Sequence, residues 1–199
     1  MEKTAKIVRI ITVAPIMALL LCSLLYIYGN NFSNYFIYLL CILCLALLPA
    51  FSYPIERKFK LYQKVHPNLS LRQSERNLAI NLSVFSYSII SIIVSLSNQN
   101  LIIKEMILTY LISGIFMWLF TFALKINASG HMCGFIGPTI FLAYSITPWF
   151  LLLLIFSLPI IWSSLKLKRH SLKELFIGSL IPVLSFLFSL IFYNCLLFL

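Results

Sequence analysis

The sequence predicts an all-α integral membrane protein, a bundle of about seven transmembrane helices, and three observations carry that prediction. Of the 199 residues, 61% are hydrophobic and 10% charged, against roughly a quarter charged in average soluble chains. The mean hydropathy is +1.00, so hydrocarbon is the solvent for most of the length. Polar interruptions also cut the chain into runs near the ~20 residues that a helix needs to cross a bilayer core.

Residues 11–28 form the first apolar run, after Lys3, Lys6 and Arg9, and end at Gly29-Asn30-Asn31. A basic start before an apolar stretch also describes a signal peptide. This run is longer than the usual apolar region of one and lacks a small-residue cleavage site, so it reads as a span. Residues 35–53 are the second run, closed by Pro54-Ile55-Glu56-Arg57-Lys58, and a cytoplasmic loop is expected over 54–77. Residues 78–96 make the third run, stopped by Asn98-Gln99-Asn100, and 101–124 the fourth, with Lys104 and Glu105 near one end. The fifth run, 132–146, is interrupted by Gly134, Gly137 and Pro138. Pro148 opens the sixth, 149–165, and Pro182 is a kink site in the last, 175–199. The chain 1–199 thus reads as a single transmembrane domain.

With seven spans, every one of the 15 Lys and Arg except Lys104, and all 3 His, fall on one side of the membrane. Cytoplasmic loops are enriched in Lys and Arg, which makes that side cytoplasmic, with the N-terminus. Ile-, Asn- and Lys-rich usage points to an AT-rich prokaryotic genome, hence a plasma membrane. Asp is absent, which excludes metal sites built on Asp clusters. The 5 Cys (Cys22, Cys41, Cys44, Cys133, Cys195) lie in apolar runs and read as small buried apolar residues, not a disulfide frame.

Three polar segments return to the basic side: 71–77, 125–131 and 166–174. Together they bring two histidines, a carboxylate, a glycine turn and many cations, the groups a phosphate needs. Each has a plainer reading. Cations flanking membrane helices are usually anchors and headgroup contacts. His66 stands alone before Pro67, and Cys133 beside His131 reads as an inert buried thiol. The joint occurrence of Ser129-Gly130-His131 and His170-x-x-x-Glu174 on one face favours chemistry.

His170 and Glu174 are spaced i,i+4, so the carboxylate can hold one ring N–H of an imidazole that attacks phosphorus and carries the phosphoryl group. His131 then serves as general acid and base. Ser129 and the N–H groups around Gly130 donate to phosphoryl oxygens, while Arg76 and Lys125 offset their charge. Lys166, Lys168 and Arg169 add cations from the third segment. This chemistry requires no metal and no cofactor.

These residues resemble the type-2 phosphatidic acid phosphatases, also called PAP2 or lipid phosphate phosphatases, over about 71–178. Ser129-Gly130-His131 matches the second part of that family's signature, with Ala128 in place of its proline. Arg76-Asn77 is similar to the Arg-Pro of the first part, where Leu69 replaces the lysine and Lys125 stands in. In the third part His170 matches the nucleophile, Glu174 replaces an Asp and Gly178 follows at the usual distance. Ser164, preceded by Ser163, occupies the place of the family's phosphate-binding arginine. The resemblance implies a six-helix core and a hydrolase of phospholipid metabolism that acts on a lipid phosphate or polyprenyl mono- or diphosphate through a phosphohistidine. Its partner is the lipid bilayer that holds the substrate, with no nucleic acid. The departures leave a second reading, a degenerate relative that binds phosphorylated lipid or a membrane partner without hydrolysis. A third is an unrelated small helical membrane protein, a transporter or assembly subunit.

Overall fold

The computed structural model describes residues 2–29 and 31–197; Asn30, expected in the first turn, and Phe198 and Leu199, expected in the last span, lie outside the described residues. Every regular element among the described residues is helical. Helices α1 (Glu2–Ile11) and α2 (Ala14–Gly29) meet at a 44° bend. Pro15 explains it, because its ring crowds the Ile11 carbonyl and supplies no N–H to it, while the Thr12 hydroxyl bonds the Val8 carbonyl at 2.8 Å. The expected first span therefore begins three residues later, and α1 is a separate segment.

Helix α3 (Tyr35–Phe59) starts at an Asn34 cap that accepts from the Ile37 N–H at 2.8 Å. It widens to a π turn over Leu43–Leu47 just before Pro49, whose missing N–H breaks the ladder. The Ser86 hydroxyl takes up the Cys44 carbonyl there at 2.8 Å. Cys41 and Cys44, one turn apart, are buried free thiols.

The expected loop over 54–77 is largely helical. α3 runs on through Pro54 to Phe59, α4 covers Leu61–Val65, and α5 (Leu71–Leu96) begins seven residues earlier than its apolar run. Ser70 and Gln73 form a reciprocal capping box that starts α5 among polar residues. The buried Glu56 carboxylate staples the segment by accepting from the Tyr62 and Gln63 N–H groups, both at 2.9 Å, and from the Ser74 hydroxyl.

Helix α6 (Leu101–Ala123) closes in a π turn; α7 (Gly130–Ser145) continues unbroken through Gly134, Gly137 and Pro138. Helix α8 (Pro148–Lys166) opens as a 3-10 helix over Pro148–Phe156, and α9 (Leu172–Leu197) ends the fold. Five of these, α3, α5, α6, α8 and α9, are long and apolar enough to cross a membrane, and the bent pair α1–α2 would make six. The count of seven is not reached, because α7, the expected fifth span, has 16 residues, about 24 Å against a core of about 30 Å.

An apolar core of Leu21, Leu25, Leu45, Ile90, Ile103, Met106 and Leu142 ties α2, α3, α5, α6 and α7 together. The outer faces stay apolar as well, with Phe85, Ile92, Leu152, Phe176 and Phe188 exposed. A surface of this kind is covered by lipid in an integral membrane protein. At the end remote from the basic segments, Gln99 holds Ser33 and Asn100 bonds Asn31.

Candidate functional site

A cavity of about 1300 Å³ opens among the basic segments and continues between the helices. Its wall follows helical faces. Arg72, Arg76, Ile80, Ser83 and Tyr87 recur along α5 every three or four residues, and Met106, Tyr110, Ser113 and Met117 do the same on α6. The end among the basic segments, here called the mouth, carries Lys6, Arg9, Arg57, Arg72, Arg76, Arg169, His131 and His170 with one carboxylate, Glu75; Met106, Tyr110, Phe141 and Pro182 line the part deeper along the helices. The space therefore has a cationic end and a mainly apolar end.

His170 lies between α8 and α9. Its Nδ1 donates to the Asn127 carbonyl at 3.1 Å and stands 3.5 Å from Glu174 Oε2. With the proton held on Nδ1, the lone pair resides on Nε2. Burial holds this imidazole below the usual histidine range, and the Glu174 charge opposes that effect. Glu174 has a second task. Its Oε2 accepts from the Ser171 N–H at 2.8 Å, and its own N–H donates to the Ser171 hydroxyl at 3.3 Å, a capping box that starts α9.

His131, in the first turn of α7, is neutral. Burial, and after it the Arg9 charge, push its pKa down to about 3. Its Nε2 donates to the Arg9 carbonyl at 3.1 Å, which leaves Nδ1 to accept from Arg9 Nη2 at 3.3 Å. The same guanidinium donates through Nη1 to the Ser164 hydroxyl at 2.8 Å. Arg9 thus spans α7 and α8 from the N-terminal helix.

Of the residues singled out by sequence, His131, His170, Gly130, Arg76 and Arg169 line the cavity, and Glu174 touches His170 from behind. Others sit elsewhere. Ser129 is fully buried, its hydroxyl caps α7 by accepting from the Met132 N–H, and its own N–H donates to the Glu174 carbonyl at 3.0 Å. Lys125 and Lys168 adopt left-handed backbone, φ 54° and 48°, at the turns that follow α6 and α8, and with Lys166 they lie outside the cavity wall. Arg76 enters the wall but bonds Asn127, Thr121 (3.1 Å) and the Ala128 carbonyl (3.4 Å), so it also fastens the 121–128 segment.

Sequence reasoning misses Arg9, Lys6 and Arg72 as parts of the site. By position the first two read only as markers of membrane side, and Arg72 enters only as a cation of the 71–77 segment although it lies one turn before Arg76. The available signal is Pro15, which bends α1 back over the basic face.

Among the described residues no group of three or more His, Cys, Asp or Glu is gathered closely enough to hold a metal ion. Comparison of the chain with protein-family models, with curated proteins and with solved structures finds no match.

Proposed function

We propose that the protein is a metal-independent phosphatase of the PAP2 kind that hydrolyses a membrane lipid phosphate or polyprenyl (di)phosphate through a phosphohistidine. One observation carries the reading: His170, with Nδ1 tied to Asn127 and Glu174, shares with His131 a cavity that is cationic at its mouth and apolar in its depth. A phosphate fits the mouth and a lipid tail the depth.

In the first step Nε2 of His170 forms a bond to phosphorus and the ester or anhydride P–O bond breaks. The departing oxygen takes a proton from His131. Water then attacks phosphorus, His131 accepts its proton, the P–N bond breaks, and inorganic phosphate leaves with His170 restored. Burial and the Arg9 charge keep His131 neutral. It becomes an acid once the dianion draws Arg9 away from Nδ1 and favours a proton there. The basic mouth faces the cytoplasm in this reading, the side that the Lys and Arg distribution favours.

The test is phosphate release by detergent-purified protein from phosphatidate, phosphatidylglycerol phosphate and polyprenyl mono- and diphosphates, with EDTA present. Release that disappears in His170→Ala and persists in Lys3→Ala supports the phosphatase. A second reading, a binder without turnover, draws on the engagement of both His131 nitrogens by Arg9. Lipid binding by folded protein with no release from any substrate would favour it.

A further inference from the structure

Among the described residues the half-buried Arg9 guanidinium has no carboxylate partner. Among the described residues the ion pairs are Arg57–Glu75 at 2.5 Å and His170–Glu174 at 3.5 Å. Arg9 instead rests on two neutral acceptors, the Ser164 hydroxyl and the His131 lone pair. Four further guanidiniums, Arg57, Arg72, Arg76 and Arg169, line the same cavity. The carboxylate in its wall, Glu75, is already taken by Arg57. Like charges gathered in a part-buried space are costly without a counter-ion, and a dianion supplies one.

The four that have no ion pair among the described residues, Arg9, Arg72, Arg76 and Arg169, are not equivalent. Arg76 is occupied by three oxygens of the 121–128 segment, whereas among the described residues the Arg9 guanidinium bonds Ser164 and His131 alone. Arg9 is also the one whose fork reaches a ring nitrogen of a histidine in the cavity wall, so a phosphate beside that histidine meets it at hydrogen-bond range. Ser164 has no exposed surface, and α1 packs against the half of α8 that carries it. A small hydroxyl residue at 164 leaves room for Arg9 and steadies it.

Resting on the phosphate reading above, we propose that Arg9, delivered by α1, is the guanidinium that grips the phosphoryl group, with Ser164 as the residue that positions it. Anion binding then trades the Nη2 contact to His131 for a charge-assisted bond to a phosphoryl oxygen, and His131 Nδ1 is released at the moment it is needed.

The test uses the detergent-purified full chain and measures equilibrium binding of radiolabelled inorganic phosphate beside KM and kcat for lipid phosphate. Arg9→Gln is expected to weaken phosphate binding and raise KM by about tenfold or more, since a charge-assisted, forked contact is lost. Arg9→Lys keeps the charge and stem but loses the fork, and binds several-fold more weakly. Ser164→Arg alone crowds Arg9 and lowers activity, whereas the Arg9→Gln/Ser164→Arg double variant recovers much of the binding. His170→Ala retains phosphate while turnover stops. Should Arg9→Gln fail to fold, as judged by melting without phosphate, Arg9→Lys and the double variant carry the comparison. Parental phosphate affinity in Arg9→Gln or, failing that, in Arg9→Lys would overturn the role and leave Arg9 as a latch between α1 and α8. A parent that neither binds phosphate nor hydrolyses any lipid phosphate would overturn this proposal together with the phosphatase reading; binding by the parent with unaffected Arg9 variants overturns this proposal alone.

Discussion

Gly178 of α9 passes directly over the backbone of Ser129: a Cβ built on Gly178 would lie 2.5 Å from the Ser129 carbonyl oxygen and 2.8 Å from its nitrogen. The Ser129 N–H donates to the Glu174 carbonyl one turn earlier on the same helix. The turn that presents His131 and the helix that follows His170 are therefore fastened backbone to backbone, and only glycine permits that approach.

Gly178→Ala must push α9 away from Ser129. Overpacking of this kind costs about 1–3 kcal/mol, and the displacement separates the two histidines. The expected outcome is a lower melting temperature and at least a tenfold drop in kcat, since small misplacement of reacting groups is expensive. Melting and turnover unchanged from the parent would show that the contact does not hold the site together.

A similar approach sets the bend that delivers Arg9. A Cβ on Gly134 would run into Ala14 at the start of α2, 2.7 Å from its Cα. Gly134→Val drives α7 and α2 apart and lifts α1 from its seat on α8. Phosphate affinity is expected to fall several-fold. Binding equal to the parent's would mean that α1 keeps its place without this contact.

The helical character is legible in the sequence from residue type, and His131 and His170 do line one cavity, but the seven crossings from which a single basic side was counted are not found among the described residues. What escapes depends on geometry within a few residues. Lys3, Lys6 and Arg9 carry the same information about sidedness, yet only the bend at Pro15 turns Lys6 and Arg9 toward the cavity. Ser129 reads as a free donor because a Ser-Gly-His string does not reveal that the hydroxyl is consumed in capping α7. Lys125, Lys166 and Lys168 count as phosphate ligands by charge, but helix ends need residues that turn the chain, and two of these lysines lie in the left-handed turns themselves. The early start of α5 at Leu71 is hidden because its first turns are polar on the faces that line the cavity, which defeats a reading based on apolar runs.

Acid should destabilise the fold through His131. Its folded pKa of about 3 lies below the ordinary 6.5, so the unfolded chain binds the extra proton between those values. Stability from this group is intact above pH 6.5 and is lost as pH falls toward 3. From pH 7 to pH 5 the loss is up to about 2 kcal/mol. Melting curves in detergent at the two pH values check it. His131→Gln should flatten part of the fall, leaving the portion that His170, lowered in the same direction, contributes. Identical melting of the parent at both values would contradict a buried neutral His131.

The same linkage gives phosphate binding a pH dependence of opposite sense. A bound dianion raises the pKa of His131, so binding takes up a proton, and affinity should increase as pH is lowered from 8 toward 7, above the range in which phosphate itself becomes mainly monoanionic. His131→Gln removes the slope without removing the guanidiniums. A pH dependence in the parent that matches that of His131→Gln would mean that His131 does not sense the anion.

The apolar depth of the cavity makes a separate prediction about tails. Ser113 faces it from α6, between Tyr110 and Met117, and is nearly buried at 9% exposure. Ser113→Phe fills that space with an aromatic ring while leaving the basic mouth untouched. A long polyprenyl or acyl chain then loses part of its burial, worth about 0.8 kcal/mol for each methylene excluded, while a phosphate ester with a short tail loses nothing. KM should rise several-fold for long-chain substrates and stay level for short-chain ones, with kcat on the short ones retained. Equal effects on both would place the tail outside the helices, along the lipid-facing surface, and confine the cavity's role to the phosphate.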